Sequence, residues 1–458
     1  MAIATVNPAT GVTEKTFEAH DSQEVDRRIA LADAATRGMR TTSFEERGRW
    51  MNAAADLLEA DVDVVARIMT LEMGKPIAQA RGEALKCAKG MRFYAEHAAE
   101  FLADEPLENP SSVNASAAYS VYQPLGVVLA VMPWNFPMWQ VVRFAAPALM
   151  AGNSGLLKHA SNVPQTALYL DTLFTRGGFP EGAFSTLLVG SQAIAAVIQD
   201  SRVKAVTLTG SEPAGREVAA NAGSQIKKAV LELGGSDPFI VMPSADIEKA
   251  VDVAVTARVQ NNGQSCIAGK RFIVHADVYD RFAALFADKL SALIVGDPMD
   301  DATQVGPLAT ESGRDELAEL VDDAKLHGAT ILAGGSAPDR AGWFYNPTLI
   351  ADLHNGMRLV MEEAFGPVAS LYRVESREEA LEIANQTTFG LSSAVWTTDA
   401  VDEQYFIDAL DAGAVFVNGM TISYPELPFG GIKASGYGRE LAAAGIREFC
   451  NLKTVWKG

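Results

Sequence analysis

One cysteine of this 458-residue chain lies in a setting that suits a reactive thiol. Cys266 belongs to the segment 261–271, Asn-Asn-Gly-Gln-Ser-Cys-Ile-Ala-Gly-Lys-Arg, in which an Asn-Gly pair predicts a tight turn just before it. A thiol behind a turn can face a cleft, whereas Cys87 and Cys450 are interpreted as small apolar side chains of the core. Cys266 is therefore the candidate nucleophile.

Two other polar residues could complete covalent chemistry on a carbonyl group. Glu232, in the phrase Leu-Glu-Leu-Gly-Gly at 231–235, supplies a carboxylate at the end of a predicted strand. Asn135, in Pro-Trp-Asn-Phe-Pro at 133–137, supplies an amide N–H. A thiol, a base and a donor for an oxyanion are the groups that such chemistry requires. We therefore expect Glu232 and Asn135 to lie beside Cys266.

Helices and strands alternate in the part of the chain that carries these residues. After a largely helical first hundred residues, the pattern predicts helices that alternate with strands at 126–132, 155–158, 184–189, 205–209 and 228–233. Such alternation is typical of a parallel sheet, whose ligands bind beyond the carboxyl ends of the strands. Asn135, Lys158, Gly210 and Glu232 all stand at or just after predicted strand ends.

A second alternating region begins at about residue 239 and predicts a second α/β domain. Its predicted strands are 239–242, 271–275, 393–397 and 414–418. In the helical first hundred residues, the amphipathic segments predict helices at 30–39, 45–64 and 83–101. The expected fold class is therefore α/β with more than one domain.

The composition excludes several classes of partner. A net charge of −19 argues against nucleic acid and anionic membranes, because both select basic surfaces. No stretch has the ~20 apolar residues that a membrane helix needs, and the first residues lack the pattern of a signal peptide. Three cysteines without close pairing indicate a reducing compartment. We expect a cytoplasmic protein without a metal site.

The phrase Thr-Gly-Ser-Glu-Pro-Ala-Gly at 209–215 falls between a predicted strand and a predicted helix. Glycine permits the backbone to approach a pyrophosphate closely, and a helix N-terminus offers free N–H groups to it. A structural turn would give the same pattern, and the Lys-Ser/Thr pair of a P-loop is missing. Taken alone, this turn leaves both interpretations open.

Together with Glu-Glu-Ala-Phe-Gly-Pro at 362–367 and the glycine-rich segment 428–440, these phrases resemble the aldehyde dehydrogenase superfamily over nearly the whole chain. The resemblance implies NAD(P)-dependent oxidation of an aldehyde to a carboxylic acid. In that reaction Cys266 forms a thiohemiacetal and then a thioester, and Glu232 activates the water that hydrolyses it. Asn135 and the backbone N–H of Cys266 stabilise the oxyanion.

The resemblance also implies which residues bind the cofactor. Lys158 would contact the adenosine ribose, and Ser161 stands where many NAD-preferring members have a glutamate. Because serine does not repel a 2′-phosphate and can donate to it, we expect NADP to be preferred, with NAD possible. The other residues that the resemblance assigns to the cofactor are Trp134, Gly210, Ser211, Gly215, Glu363 and Phe365.

The resemblance is strongest to members that oxidise semialdehydes, and it implies succinate semialdehyde as the substrate. Arg143, six residues after Pro137, would bind the substrate carboxylate through its guanidinium fork, although an arginine at the edge of an amphipathic helix is the alternative. Ser423 and Tyr424 would add further contacts. Glutarate semialdehyde, an aliphatic aldehyde, and an inactive member of the fold remain alternatives.

The same resemblance implies two Rossmann-like domains and a small β element for oligomerisation. The expected dinucleotide-binding domain comprises 1–105 and 125–232, and the catalytic domain 233–440. The segments 106–124 and 441–458 would form the oligomerisation element. Since this element would leave an exposed strand edge in a monomer, we expect a homodimer or homotetramer.

Overall fold

The structure is a computed structural model that describes residues 2–458. Its helices are α1 (Ser22–Met39), α2 (Phe44–Ala60), α3 (Val62–Met73), α4 (Ile77–Phe101), α5 (Trp139–Met150), α6 (Pro164–Arg176), α7 (Ile194–Gln199), α8 (Glu212–Ser224), α9 (Ile247–Val259), α10 (Ala276–Ser291), α11 (Glu311–Leu326), α12 (Arg358–Met361), α13 (Arg377–Asn385), α14 (Ala400–Ala409) and α15 (Ala442–Glu448). Its strands are β1 (Ile3–Asn7), β2 (Val12–Phe17), β3 (Glu105–Pro106), β4 (Ala117–Pro124), β5 (Val127–Met132), β6 (Ser154–His159), β7 (Phe184–Thr186), β8 (Val203–Thr209), β9 (Lys228–Glu232), β10 (Asp237–Val241), β11 (Gly269–His275), β12 (Thr330–Ala333), β13 (Thr348–Ala351), β14 (Val368–Val374), β15 (Ser393–Trp396), β16 (Val415–Val417), β17 (Gly436–Tyr437) and β18 (Cys450–Lys457). Within 2–458, no helix combines the length and the apolar composition that crossing a bilayer requires.

The first sheet has six strands in the order β17-β9-β8-β5-β6-β7. The strands from β9 to β7 are parallel, whereas β17 is antiparallel to β9. Its neighbouring strands end together, so that Thr209 pairs with Glu232 and Val131 pairs with Lys158. The predicted parallel sheet is confirmed, and the carboxyl ends of its strands carry the polar residues.

The second sheet has seven strands in the order β12-β13-β14-β11-β10-β15-β16, with β12 antiparallel to β13. Four residues, 233–236, connect the end of β9 in the first sheet to the start of β10 in the second. The carboxyl edge of the first sheet must therefore lie near the amino edge of the second. Cys266 comes just before β11 at that edge, and Phe365 comes just before β14.

Helix α5 is buried along its whole length. Most of its residues are apolar and pack in the core between the first sheet and the helices α2 and α4. Glu83 of α4 accepts hydrogen bonds from the N–H groups of Met138 and Trp139 and so holds the first turn of α5. Two polar residues of this helix, Gln140 and Arg143, therefore lie in the interior, where their polar atoms need partners.

A third sheet joins the two segments that were predicted to form a small β element. β4 pairs antiparallel with β18 from Ala117–Lys457 to Pro124–Cys450, and β3 pairs with the other side of β4. Strand β18 is thus an edge strand, and its Leu452 and Trp456 side chains are exposed.

All three helices predicted in the first hundred residues have wrong boundaries, and the one predicted at 83–101 begins at Ile77. The segment 45–64 is not one helix, because the chain leaves helical geometry at Asp61, which separates α2 from α3. The Asp61 side chain instead accepts hydrogen bonds from Tyr169 and Arg176 of α6. The segment 30–39 is the second half of a longer helix that begins at Ser22, where the side chain of Asp21 caps it.

Candidate active site

The loop that presents Cys266 is held in an unusual backbone conformation. Asn261, Asn262 and Gly263 all have left-handed φ angles, of 58°, 58° and 73°. Asparagine tolerates this region, and its amide can bond to nearby backbone groups. Asn262 does so by donating to the carbonyls of Gly74 and Pro307, at 2.8 and 2.9 Å. The predicted Asn-Gly turn is therefore present and is fixed before the cysteine.

Cys266 is a free thiol at the wall of a partly open cavity whose empty volume, including solvent at its mouth, is about 430 Å³. The lining residues include Gln140 and Arg143 of α5 and Phe429 of the glycine-rich C-terminal segment. Burial raises the pKa of the Cys266 thiol to about 12, although the positive charge of Arg143 opposes this shift. The thiol is therefore protonated at neutral pH and must transfer its proton to a base before it can attack a carbonyl.

Lys270 holds the main chain of the loop that carries Cys266. Its buried ammonium group donates to the carbonyls of Ser265 and Cys266, both at 2.8 Å, and forms an ion pair with Glu363 at 2.9 Å. Glu363 also accepts from the N–H of Gly235 at 3.2 Å. The role of Lys270 is not predicted from the sequence, although a lysine within a buried strand is a signal that an anionic partner lies nearby.

The side-chain amide of Asn135 is oriented by contacts on both sides. Its Oδ1 accepts from Nε2 of Gln140 at 3.0 Å, and its Nδ2 donates to the carbonyl of Gln264 at 3.0 Å. Asn261 Nδ2 donates to the backbone carbonyl of Asn135 at 2.7 Å. The NH₂ group therefore faces the loop of Cys266, and its second hydrogen is available to an oxyanion.

Glu232 lies at the end of β9 and is 1% exposed, yet neither carboxylate oxygen has a hydrogen-bond partner among residues 2–458. A Cβ atom at Gly430 would lie 2.8 Å from its Oε1, so glycine is what leaves room for the carboxylate. Burial and the charge of Glu440 raise the pKa of Glu232 to about 8, against Arg143 and Arg439. A buried carboxyl group without a partner, with a pKa near neutrality, is suited to bind and activate water.

Arg143 already has a carboxylate partner. It forms an ion pair with Glu440, and both side chains are buried. Its Nη2 donates to Thr209 Oγ1 at 3.2 Å, and its guanidinium lies 4.7 Å from the ring centroid of Phe429. Glu440 belongs to the glycine-rich segment 428–440, and its pairing with the predicted substrate arginine is not predicted from the sequence.

The structure separates the two other predicted substrate residues. Ser423 is buried in the cavity wall, and its Oγ accepts from Lys86 Nζ and from Trp139 Nε1, both at 2.8 Å. Tyr424 is exposed and does not line the cavity. Ser423 can therefore contact a ligand of this cavity directly, whereas the contact predicted for Tyr424 has no support in this geometry.

The turn before α8 has the features of a phosphate site. Helix α8 begins after Ser211, whose side chain makes no cap hydrogen bond, so the N–H groups of Glu212 and Ala214 in its first turn remain free for an anion, whereas Pro213 has none. Gly210 is open, since a Cβ there would meet only Leu208 at 3.6 Å. Gly215 packs closely in the same turn, because a Cβ there would lie 2.6 Å from the side chain of Leu233.

Lys158 and Ser161 lie beside the same sheet edge. Lys158 is half-buried at the end of β6, and its ammonium makes no hydrogen bond or ion pair with any part of the chain from residue 2 onward. Burial lowers its pKa. Ser161 follows in the next loop, where its carbonyl accepts from the N–H of Ala4 at 3.1 Å. A lysine without an anionic partner, near a free helix N-terminus, fits a cofactor that carries several phosphates.

The remaining predicted cofactor residues meet on the other side of the cysteine loop. The rings of Trp134 and Phe365 pack edge to face, with centroids 5.7 Å apart and planes at 85°. Glu363 is two residues before Phe365 and is held by Lys270. Trp134 follows a strand of the first sheet, and Phe365 precedes a strand of the second. Their contact therefore forms part of one site between the two sheets.

The site combines a thiol nucleophile, a carboxylate without a hydrogen-bond partner and a glycine turn suited to a dinucleotide, at facing edges of the two sheets. This combination defines an oxidoreductase site of the aldehyde dehydrogenase kind. The model of the aldehyde dehydrogenase family matches residues 1–455, and the chain belongs to this family. Among characterised relatives, the succinate-semialdehyde dehydrogenase (NADP(+)) 1 of Mycobacterium tuberculosis is 65% identical over 456 residues, which cover 100% of both chains. The succinate-semialdehyde dehydrogenase (NADP(+)) of Mycobacterium avium is 64% identical over 100% of this chain and 97% of its own.

Solved structures agree with this assignment. The succinic semialdehyde dehydrogenase of Streptococcus pyogenes, in complex with NADP+, superposes with a TM-score of 0.96 at 38% identity over 99% of both chains. The succinate-semialdehyde dehydrogenase of Burkholderia pseudomallei gives a TM-score of 0.96 at 35% identity, over 99% of this chain and 94% of its own. The predicted family and fold class are thus confirmed.

Proposed function

We propose that this protein oxidises succinate semialdehyde to succinate with NADP as the electron acceptor. The observation that carries the proposal is the cavity at Cys266, which is lined by a free thiol and by cationic side chains that suit an anionic aldehyde, while the buried carboxyl group of Glu232 acts electrostatically on that thiol. The names of the mycobacterial relatives support the same substrate and cofactor.

The chemistry begins at the thiol. Cys266 Sγ loses its proton to a base and bonds to the aldehyde carbon, which gives a thiohemiacetal whose oxyanion is stabilised by Asn135. Bound NADP would supply the acceptor for the hydride that leaves this carbon. The resulting thioester is attacked by water as Glu232 takes a proton from it, and cleavage of the C–S bond releases succinate and restores the thiol.

The residues of the sheet edge would hold the cofactor. The free N–H groups after Gly210 and Ser211 would bind the pyrophosphate, and Lys158 with Ser161 would bind the 2′-phosphate. Glu363 would bind the nicotinamide ribose, near Trp134 and Phe365, as the sequence predicts.

Three further expectations belong to the same proposal. The dinucleotide-binding domain would comprise 1–105 and 125–232 and the catalytic domain 233–440, with the candidate site between them. The sheet of β3, β4 and β18 would pair across copies of the chain in a homodimer or homotetramer, since β18 has a free edge and exposed apolar side chains. The location would be the cytoplasm.

The test is a matrix of initial rates, followed by the absorbance of the reduced nicotinamide. Succinate semialdehyde, glutarate semialdehyde and butanal are each measured with NADP and with NAD. We expect the highest kcat/KM for succinate semialdehyde with NADP. A higher value for glutarate semialdehyde or butanal would replace the substrate, and a preference for NAD would remove the role of Ser161. Absence of turnover with every aldehyde would favour an inactive member of the fold.

A further inference from the structure

A second cation lines the cavity of Cys266, and the sequence analysis did not identify it. Lys86 lies on α4, and its side chain reaches the cavity wall opposite the cysteine loop, beside Arg143. Lys86 and Arg143 therefore both line the cavity. They differ in how far other groups of the protein already compensate their positive charge.

Arg143 is partly compensated. It forms a buried ion pair with Glu440, whose pKa is raised by burial against the opposing charge of Arg143. Thr209 and the ring of Phe429 occupy other parts of the guanidinium. Drawing Arg143 toward a substrate would leave the buried carboxylate of Glu440 without its partner, which is costly.

Lys86 has no such partner. Among residues 2–458 no carboxylate lies within ion-pair distance of its ammonium, which contacts Ser423 Oγ at 2.8 Å and the ring face of Trp139 at 4.2 Å. Burial lowers the pKa of Lys86 to about 8, and the charge of nearby Arg143 contributes to this shift. Lys86 therefore remains mostly protonated at pH 7, as a partly desolvated charge that an anion in the cavity would compensate.

Ser423 adds a neutral donor at the same place. Its Oγ accepts hydrogen bonds from Lys86 and from the indole of Trp139, so both of its acceptor positions are in use. The hydroxyl proton is consequently left to donate. An ammonium and a hydroxyl donor side by side match the two oxygens of a carboxylate.

We propose that Lys86, together with the hydroxyl of Ser423, binds the distal carboxylate of the aldehyde substrate beside Arg143. This inference rests on the proposed function. It makes Lys86 a specificity-determining residue that distinguishes carboxylated aldehydes from neutral ones.

The test compares Lys86→Met and Lys86→Arg with the wild-type enzyme at pH 7 and saturating NADP. Loss of a charge-assisted contact should lower kcat/KM for succinate semialdehyde by about 10- to 100-fold in Lys86→Met, mainly through KM. The rate with butanal should change by less than about twofold, because this contact is absent for a neutral substrate. Lys86→Arg should recover a large part of the loss, since it keeps the charge.

The matched control is Lys89→Met. Lys89 lies one turn further along α4, is exposed, and pairs with Glu426 at the surface at 3.1 Å. The Lys89→Met substitution should leave kcat/KM unchanged for both succinate semialdehyde and butanal. Unaltered NADP binding and thermal unfolding of Lys86→Met would show that this variant is folded.

Two outcomes overturn the inference: equal loss for both aldehydes in Lys86→Met, or no loss for either. Inhibition of butanal oxidation by succinate provides a readout that does not require turnover of the semialdehyde. Weaker inhibition in Lys86→Met supports the carboxylate site even if the wild-type enzyme prefers another aldehyde, and unchanged inhibition contradicts it. Failure of the proposed substrate is thus distinguishable from failure of the Lys86 site.

Discussion

The two sides of the candidate site differ in how completely their polar groups are satisfied. On the cysteine side, Asn135 and Lys270 donate to carbonyls of residues 264–266, and Asn262 donates to the carbonyls of Gly74 and Pro307. On the cofactor side, Lys158 has no partner among residues 2–458, and the N-terminus of α8 has no side-chain cap. The comparison indicates that the fold alone positions the chemical groups, whereas the groups expected to bind phosphates are left free for an anionic ligand.

Glu232 is the exception on the cysteine side. It is as buried as its neighbours, but both of its oxygens lack partners in residues 2–458. A general base must exchange protons with a water molecule that comes and goes, so permanent protein partners would interfere with its role. Substitutions on the cysteine side, on the cofactor side and at Glu232 are therefore expected to have different effects.

The largest effect is expected from Cys266→Ala. Removing the nucleophile should reduce aldehyde oxidation to the background rate, because no thiohemiacetal can form. NADP binding, measured by quenching of protein fluorescence, should stay within about twofold of wild type, since the cofactor side is built from other residues. Cys450→Ala, at a buried thiol that does not line the cavity, is the control and should retain activity. Normal turnover by Cys266→Ala would refute the mechanism.

Glu232→Gln should slow the second half of the reaction. The amide cannot accept a proton from water, and loss of a general base typically lowers kcat by about 10²- to 10⁴-fold. A rapid first turnover should still release one equivalent of reduced cofactor, since thioester formation precedes hydrolysis. A stopped-flow trace without this burst would place Glu232 in the first half as well.

The pKa of Glu232 gives the sign of the pH dependence. Burial and Glu440 raise this pKa to about 8, against Arg143 and Arg439, so the carboxyl group is mainly protonated at pH 7 and ionises as the pH rises. Only the ionised form accepts a proton, and kcat limited by hydrolysis should therefore rise through pH 8 and level off above it. This limb should disappear in Glu232→Gln, and its persistence there would assign it to another group.

On the cofactor side, Ser161→Glu should shift the preference toward NAD. A carboxylate near Lys158 would repel the 2′-phosphate of NADP and accept hydrogen bonds from the ribose hydroxyls of NAD. We expect the kcat/KM with NADP, divided by the kcat/KM with NAD, to fall by about 10- to 100-fold. This change corresponds to the loss of one charged contact. An unchanged ratio would remove Ser161 from the cofactor site.

A smaller effect, on stability, is expected from Gly263→Ala. Its φ is +73°, and an added Cβ would lie 2.4 Å from the backbone of Gly366, so the loop of Cys266 must shift. We expect the free energy of unfolding to fall by about 2–4 kcal/mol in chemical denaturation. Gly82→Ala, on α4 with nothing within 4 Å of the added Cβ, is the control and should be neutral or slightly stabilising. Equal effects of the two changes would show that the loop can adapt.

Much of this arrangement could be predicted from the sequence, because it depends on local patterns. Alternation of strands and helices predicts the parallel sheet, and a parallel sheet brings its strand ends to one edge. Glu232, Asn135 and Gly210 were located by this argument, and the structure places them at that edge. The Asn-Gly turn before Cys266 is likewise a local signal.

The rest depends on contacts between distant parts of the chain. Glu440 meets Arg143, and Lys86 meets Ser423, only after both domains and the C-terminal segment have packed together. A single sequence carries no period or spacing that reports such pairs. The break at Asp61 has a similar origin, since its partners Tyr169 and Arg176 belong to a distant helix. At these positions, tertiary contacts outweigh the local helix propensity.

The most direct test of the central claim is to trap the covalent intermediate. Glu232→Gln would be mixed with succinate semialdehyde and NADP, quenched in acid, digested, and examined by peptide mass spectrometry. The account predicts a succinyl group on the peptide that contains Cys266, together with about one equivalent of reduced cofactor per active site. Release of reduced cofactor with no acyl group on any cysteine, or with the acyl group on Cys87 or Cys450, would contradict it.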